Sequence, residues 1–213
     1  MYLRSVLRIK TTSHIFYNVA KAENEFAVKD VQETQVNASN VPPSPPRKMH
    51  SPANSSALVD AADRGDANKV LELLAEGMDI NYSKEGDEGR TALYKAAWEG
   101  HLDVVQALVT AKADLNKANT DGCTPLLIAA YNGHLNVVQA LVAAEADVDK
   151  AKTDDGRTPL WTAAYEGHLD VVQALVAAKA DVNKAAGEWT PLRIATQNNH
   201  TSIVACLKSA GAK

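Results

Sequence analysis

The sequence predicts an all-α solenoid of stacked helix-turn-helix units, preceded by a disordered N-terminal tail. Three observations carry that prediction. One segment is written almost three times: "TALYKAAWEGHLDVVQALVTAKADLNK" from Thr91, "TPLLIAAYNGHLNVVQALVAAEADVDK" from Thr124 and "TPLWTAAYEGHLDVVQALVAAKADVNK" from Thr158. Aromatic residues are 5% of the 213 and Phe occurs twice, so Ala, Leu and Val must fill an interior of closely approaching helices. Ahead of the repeats, residues 37–54 ("NASNVPPSPPRKMHSPAN") hold five of the eight prolines and little apolar material to bury.

Residues 1–36 form the leader. Its start carries Arg4, Arg8, Lys10 and Lys21 with no acid before Glu23, a bias shared with mitochondrial transit peptides. The apolar run of Leu3, Val6 and Leu7 meets Lys10 at once, so an unstructured leader and a cytoplasmic protein are expected, with organellar import as the alternative. No uninterrupted apolar stretch fits a secretory signal, and the sequons at Asn37, Asn54 and Asn199 are then without consequence. Residues 37–54 read as a polyproline-prone spacer. Within it Pro42, Pro45 and Arg47 match the short P-x-x-P-x-R pattern that SH3 domains bind, and Ser44 and Ser51 each precede proline.

From 55 to 213 self-similarity decides the architecture. Thr91, Thr124, Thr158 and Thr190 open matching units at offsets of 33, 34 and 32. A degenerate first unit precedes them, giving five: 56–90, 91–123, 124–157, 158–189 and 190–213. Each is too small to bury its own apolar face, so neighbours must share a core. Inside the third unit, Thr124 stands where an N-cap hydroxyl belongs and Pro125 where a missing N–H is harmless. Leu126, Ala129 and Ala130 stripe a short first helix, which Gly133 ends. Val137, Val138, Leu141 and Val142 recur at helical spacing in the second. "TDG" at Thr120 and "DDG" at Asp154 supply turns between units.

The composite G-x-T-P-L-x-x-A-A-x-x-G-H-L-x-V-V-x-x-L-V-x-x-x-A-D-V-N resembles the ankyrin repeat over three-quarters of the chain. That resemblance implies helix pairs joined by hairpin-like loops and an activity of binding other proteins. Two departures stand out. The histidine of the family's T-P-L-H is replaced throughout, by Val59, Tyr94, Leu127, Trp161 and Arg193. At the end of the second helix, where relatives place glycine, this chain has Lys112, Glu145 and Lys179, and keeps only Gly77 and Gly211.

His101, His134, His168 and His200 recur once per unit, and helices stacked about 8–10 Å apart cannot bring neighbours to the roughly 2 Å of a zinc–histidine bond. They are expected to be structural, as are the loop-entry carboxylates Asp114, Asp147 and Asp181. Cys206 aligns with Ala107, Ala140 and Ala174 and is expected to be a buried thiol. No phosphate loop or nucleophile elbow is present, so no enzyme, metal or cofactor is expected. Residues 1–53 carry 7 basic and 4 acidic residues (+3) and residues 54–213 carry 15 and 22 (-7), so the acidic array opposes nucleic-acid binding. No apolar run approaches the 18 residues of a membrane span.

What varies between the repeats points to the partner surface. In ankyrin relatives the hairpin tips and first helices form a concave groove, and the variable letters fall there. Trp98, Tyr131 and Tyr165 share one place, followed by Glu99, Asn132 and Glu166. Arg90, Cys123, Arg157 and Trp189 occupy the last hairpin position. The three aromatics should make a row across about 20 Å. Tyr94 and Trp161 belong to the same expected contact set, with packing against the next unit as their alternative. The expected activity is a monomeric, non-catalytic adaptor that binds a protein of basic and apolar character, given Asp87, Glu88, Glu99, Asp154, Asp155 and Glu166 nearby. The alternative is a targeting or regulatory subunit that recruits substrates to an enzyme.

Overall fold

Why five short helix pairs hold together is visible at their ends. The structure, a computed structural model, describes residues 52–84 and 86–213. The leader and nearly all of the proline-rich linker lie outside the described residues. Ten helices follow in pairs: α1 (Pro52–Asp63) and α2 (Ala67–Ala75), α3 (Ala92–Glu99) and α4 (Leu102–Thr110), α5 (Pro125–Tyr131) and α6 (Leu135–Ala143), α7 (Pro159–Glu166) and α8 (Leu169–Ala177), α9 (Pro191–Gln197) and α10 (Thr201–Ser209). The first helix thus begins a little ahead of residue 55, at a proline, which the first helical turn tolerates.

Thr91, Thr124, Thr158 and Thr190 are the N-caps of α3, α5, α7 and α9. Each hydroxyl accepts the backbone N–H three residues on. Within the first helices, the small residues at Ala96/Ala97, Ala129/Ala130 and Ala163/Ala164 are fully buried and let neighbouring helices close in. First helices pack on first helices and second on second, in chain order. The core is a continuous spine of Leu93, Leu126 and Leu160 with Leu108, Leu141 and Leu175.

Each second helix ends in the Schellman pattern. Lys112 N–H donates to Val109 O and Ala113 N–H to Leu108 O, with the same pair of bonds at Glu145/Ala146 and Lys179/Ala180. Lys112, Glu145 and Lys179 therefore take left-handed backbone, at φ 67°, 68° and 64°, where Gly77 and Gly211 serve the outer units.

The seams between units repeat as well. His101, His134, His168 and His200 place Nε2 at 3.1, 2.9, 2.9 and 3.1 Å from the carbonyls of Asp63, Trp98, Tyr131 and Tyr165 in the preceding unit. The ring must donate to that oxygen, which fixes the Nε2-protonated tautomer. The same imidazoles explain the helix-ending glycines: a Cβ at Gly100 or Gly133 would stand 2.7 Å from the next unit's Nδ1. A second ladder runs along the loops, where the N–H groups of Asp114, Asp147 and Asp181 donate to Asn81, Asn116 and Asp149 one unit back. Asp114, Asp147 and Asp181 also close turns of their own, accepting from Asn116, Asp149 and Asn183.

The hairpin-like tips between units carry isolated antiparallel bridges among the described residues, Ser83 with Thr91 and Ala186 with Trp189. One expectation needs correction. Cys206 is half-buried rather than buried, as are Ala107, Ala140 and Ala174 at the same position of the inner units.

Candidate partner-binding groove

The variable residues fall along α3, α5 and α7 and the tips before them. Arg90, Tyr94 and Trp98 are spaced four apart, as are Arg157, Trp161 and Tyr165, so each triplet stacks along one helix face. In the second unit the Arg90 guanidinium carbon lies 5.9 Å from the Tyr94 ring centre and 5.4 Å from that of Trp98. In the fourth, Arg157 lies 4.8 Å from Trp161 and 5.9 Å from Tyr165. Trp161 and Tyr165 stack nearly parallel at 5.5 Å, whereas Tyr94 and Trp98 tilt by 37°. These are columns of cation over π-face over π-face.

Each column has a buried end and an open end. Tyr94 is 2% and Trp161 4% exposed, so both are corrected from partner contacts to groove floor. Trp161 is sealed because its Nε1–H donates to the Trp189 carbonyl at 2.8 Å in the next hairpin. Burial also holds the Tyr94 phenol protonated well above its ordinary range. Trp98, Tyr131 and Tyr165 are 37%, 44% and 40% exposed, the exposed aromatics among the described residues. Trp189 is half-buried beneath Arg193, whose guanidinium carbon lies 4.3 Å from its ring. Asn132 donates to the Trp98 carbonyl at 2.9 Å, which pins the turn beside the row.

The tip carboxylates are not free for a partner. Asp87 and Glu88 pair with Arg90, Asp154 pairs with Lys152, and Asp155 with both Lys152 and Arg157. Glu99, Asp121 and Glu166 make no ion pair among the described residues and carry the groove's remaining negative charge there.

The third unit breaks the pattern. Cys123 stands in the arginine position and Leu127 in the buried aromatic one, so Tyr131 has neither a cation above it nor a ring beside it. The lost volume opens a cavity of about 250 Å³, walled by Arg90 and Trp98 on one side and by Lys152, Arg157 and Thr162 on the other, with Cys123, Leu127 and Tyr131 between. Burial raises the Cys123 thiol above its ordinary titration range, which makes it a poor nucleophile. Sequence reading passed over Asp121, Lys152 and Thr162, which line this cavity. Asp121 was detectable by register, since it aligns with Glu88 and Asp155.

Among the described residues no cluster of His, Cys, Asp or Glu could hold a metal ion, and no helix is long and apolar enough to cross a membrane. A family model described as ankyrin repeats (3 copies) matches residues 26–119, 58–152, 111–186 and 145–213. Cortactin-binding protein 2 of Dasypus novemcinctus is 46% identical over 63 residues, 29% of this chain and 4% of that protein. The same-named protein of Saimiri boliviensis boliviensis is 49% identical over 57 residues, 26% of this chain and 3% of its own length. The ankyrin repeat and KH domain-containing protein mask-1 of Caenorhabditis elegans is 48% identical over 62 residues, 29% of this chain and 2% of that protein.

Proposed function

Because the chain belongs to the ankyrin-repeat family, we propose that it is a monomeric, non-catalytic adaptor whose concave face holds a segment or domain of another protein. The single observation that carries this reading is the row of Trp98, Tyr131 and Tyr165. Large rings more than one-third exposed stand side by side on helices whose ends are capped and whose seams are bonded. Rigid aromatics on a rigid base bury much area with few rotors to freeze, which is how interface anchors act.

The partner has mixed character. Apolar side chains meet the rings, and basic groups meet Glu99, Asp121 and Glu166, the carboxylates that no arginine or lysine of the groove has matched. The cations of the groove are already held by Asp87, Glu88, Asp154 and Asp155, so an acidic partner finds little unspent attraction there.

Affinity capture with the full chain, beside a variant with Trp98, Tyr131 and Tyr165 all changed to Ala, tests the reading. The captured partner should bind the triple variant about 100-fold more weakly or worse. Equal retention by a folded triple variant would move the binding surface off the groove.

A further inference from the structure

The second and fourth units show what the third lacks. In each, a tip carboxylate two residues ahead of an arginine pairs with it: Glu88 with Arg90, and Asp155 with Arg157 at 3.2 Å. Each arginine then lies over the exposed aromatic of its own helix. In the third unit Asp121 and Tyr131 keep their places, but Cys123 provides no cation. Asp121 is exposed, makes no ion pair among the described residues, and receives only a long 3.5 Å contact from Asn119 Nδ2. Two of the three parts of the column are present, and an open cavity of about 250 Å³ lies where the third would stand.

We propose that this cavity takes an arginine side chain of the protein partner, its guanidinium lying over Tyr131 and pairing with Asp121, as Arg90 and Arg157 do within their own units. The assignment rests on the groove reading above and names the residue that the groove selects. The neighbouring cations do not oppose it. Lys152 is held by Asp154 at 2.8 Å and Asp155 at 3.6 Å, Arg157 by Asp155 at 3.2 Å, and Arg90 by Asp87 at 3.6 Å and by Glu88, so Asp121 is the one carboxylate lining the cavity and it is unmatched. The cavity also holds unsatisfied polar atoms. Thr162 Oγ1, on a side chain only 4% exposed, and Arg90 Nε are buried without a hydrogen-bond partner, and both residues line it. A guanidinium has N–H groups to spare for Thr162 after a two-bonded contact with Asp121, and the guest's main-chain carbonyls suit Arg90 Nε. An ammonium is a more strongly hydrated point charge and stacks less well on a ring. An acidic guest would meet Asp121.

The test uses the full chain and a capped peptide, Ac-Gly-Leu-Arg-Leu-Gly-NH2, beside versions with citrulline or glutamate in place of arginine. Two readouts are followed: the Kd, and the alkylation rates of the chain's two cysteines, Cys123 inside the cavity and Cys206 on α10. The arginine peptide should bind about tenfold more tightly than the citrulline one. It should slow alkylation at Cys123 and leave Cys206 unchanged. Asp121→Asn should erase the preference for arginine, and Cys123→Arg, which supplies the cation from within the chain, should abolish binding. Equal affinity for citrulline or glutamate, an unshielded Cys123, or an undiminished preference in Asp121→Asn each overturns the proposal. Should Cys123→Arg not fold, the isosteric Asp121→Asn decides alone. Loss of the captured partner in the triple alanine variant with no arginine preference would defeat this site while leaving the groove reading intact. An arginine preference with no loss in the triple variant would do the reverse.

Discussion

The third unit and its two neighbours share a spine and differ in their groove. Gly100, Gly133 and Gly167 meet the same histidine contact, and Thr91, Thr124 and Thr158 make the same cap. Yet Arg90–Tyr94–Trp98 and Arg157–Trp161–Tyr165 fill their stretch of groove, where Cys123–Leu127–Tyr131 leaves it open. The contrast teaches that architecture and recognition are written at separate positions of one repeat. Two changes along the groove, Cys123 and Leu127, make a cavity without disturbing the shared spine of Leu126 and Leu141.

The largest expected effect probes the shared spine. Gly133→Ala combines left-handed backbone at φ 73° with a methyl 2.7 Å from the His168 ring, and should destabilise the array by roughly 2–4 kcal/mol. Gly100→Ala should cost the same within error, because its surroundings are the same. Denaturant unfolding checks both, and unequal losses would break the claim of a common spine.

A smaller effect sharpens the groove difference. Tyr165→Ala removes a ring stacked on Trp161 and lying under Arg157, and should lower stability by about 1–2 kcal/mol. Tyr131→Ala removes a ring without such partners and should lower it by less than about 0.5 kcal/mol. Matching losses in thermal melts would mean that Tyr131 is held by something other than its neighbours in the column.

The smallest effect concerns helix ends. Lys112→Gly and Glu145→Gly relieve left-handed strain in non-glycine residues and should each raise stability by up to about 1 kcal/mol, read as a higher Tm. Since the two sites share one geometry, the gains should match.

The repeat made much of this legible in the sequence. Threonine followed by proline announces a capped helix wherever it stands, and a glycine before histidine announces its end, because both depend on local backbone chemistry. The row of Trp98, Tyr131 and Tyr165 could be read off as well, since spacing alone puts the three on one face. The fate of Tyr94 and Trp161 could not be read. Whether such a ring looks out or in depends on the next unit's hairpin, and for Trp161 on a carbonyl at Trp189 that only folding delivers. The tip carboxylates were misleading for a related reason. Composition shows Asp87 and Asp155 near a groove, but only the folded tips show arginines already bound to them.

The histidine that reaches back to its predecessor's carbonyl makes every interior joint the same joint. Donor, acceptor and the bare glycine between them are interchangeable from one copy to the next, so a whole copy can be spliced in or removed with both new junctions already matched. Each splice would lengthen the trough by about 10 Å and could bring its own choice of column, filled or open. A recognition surface built this way can be extended in length independently of what it recognises.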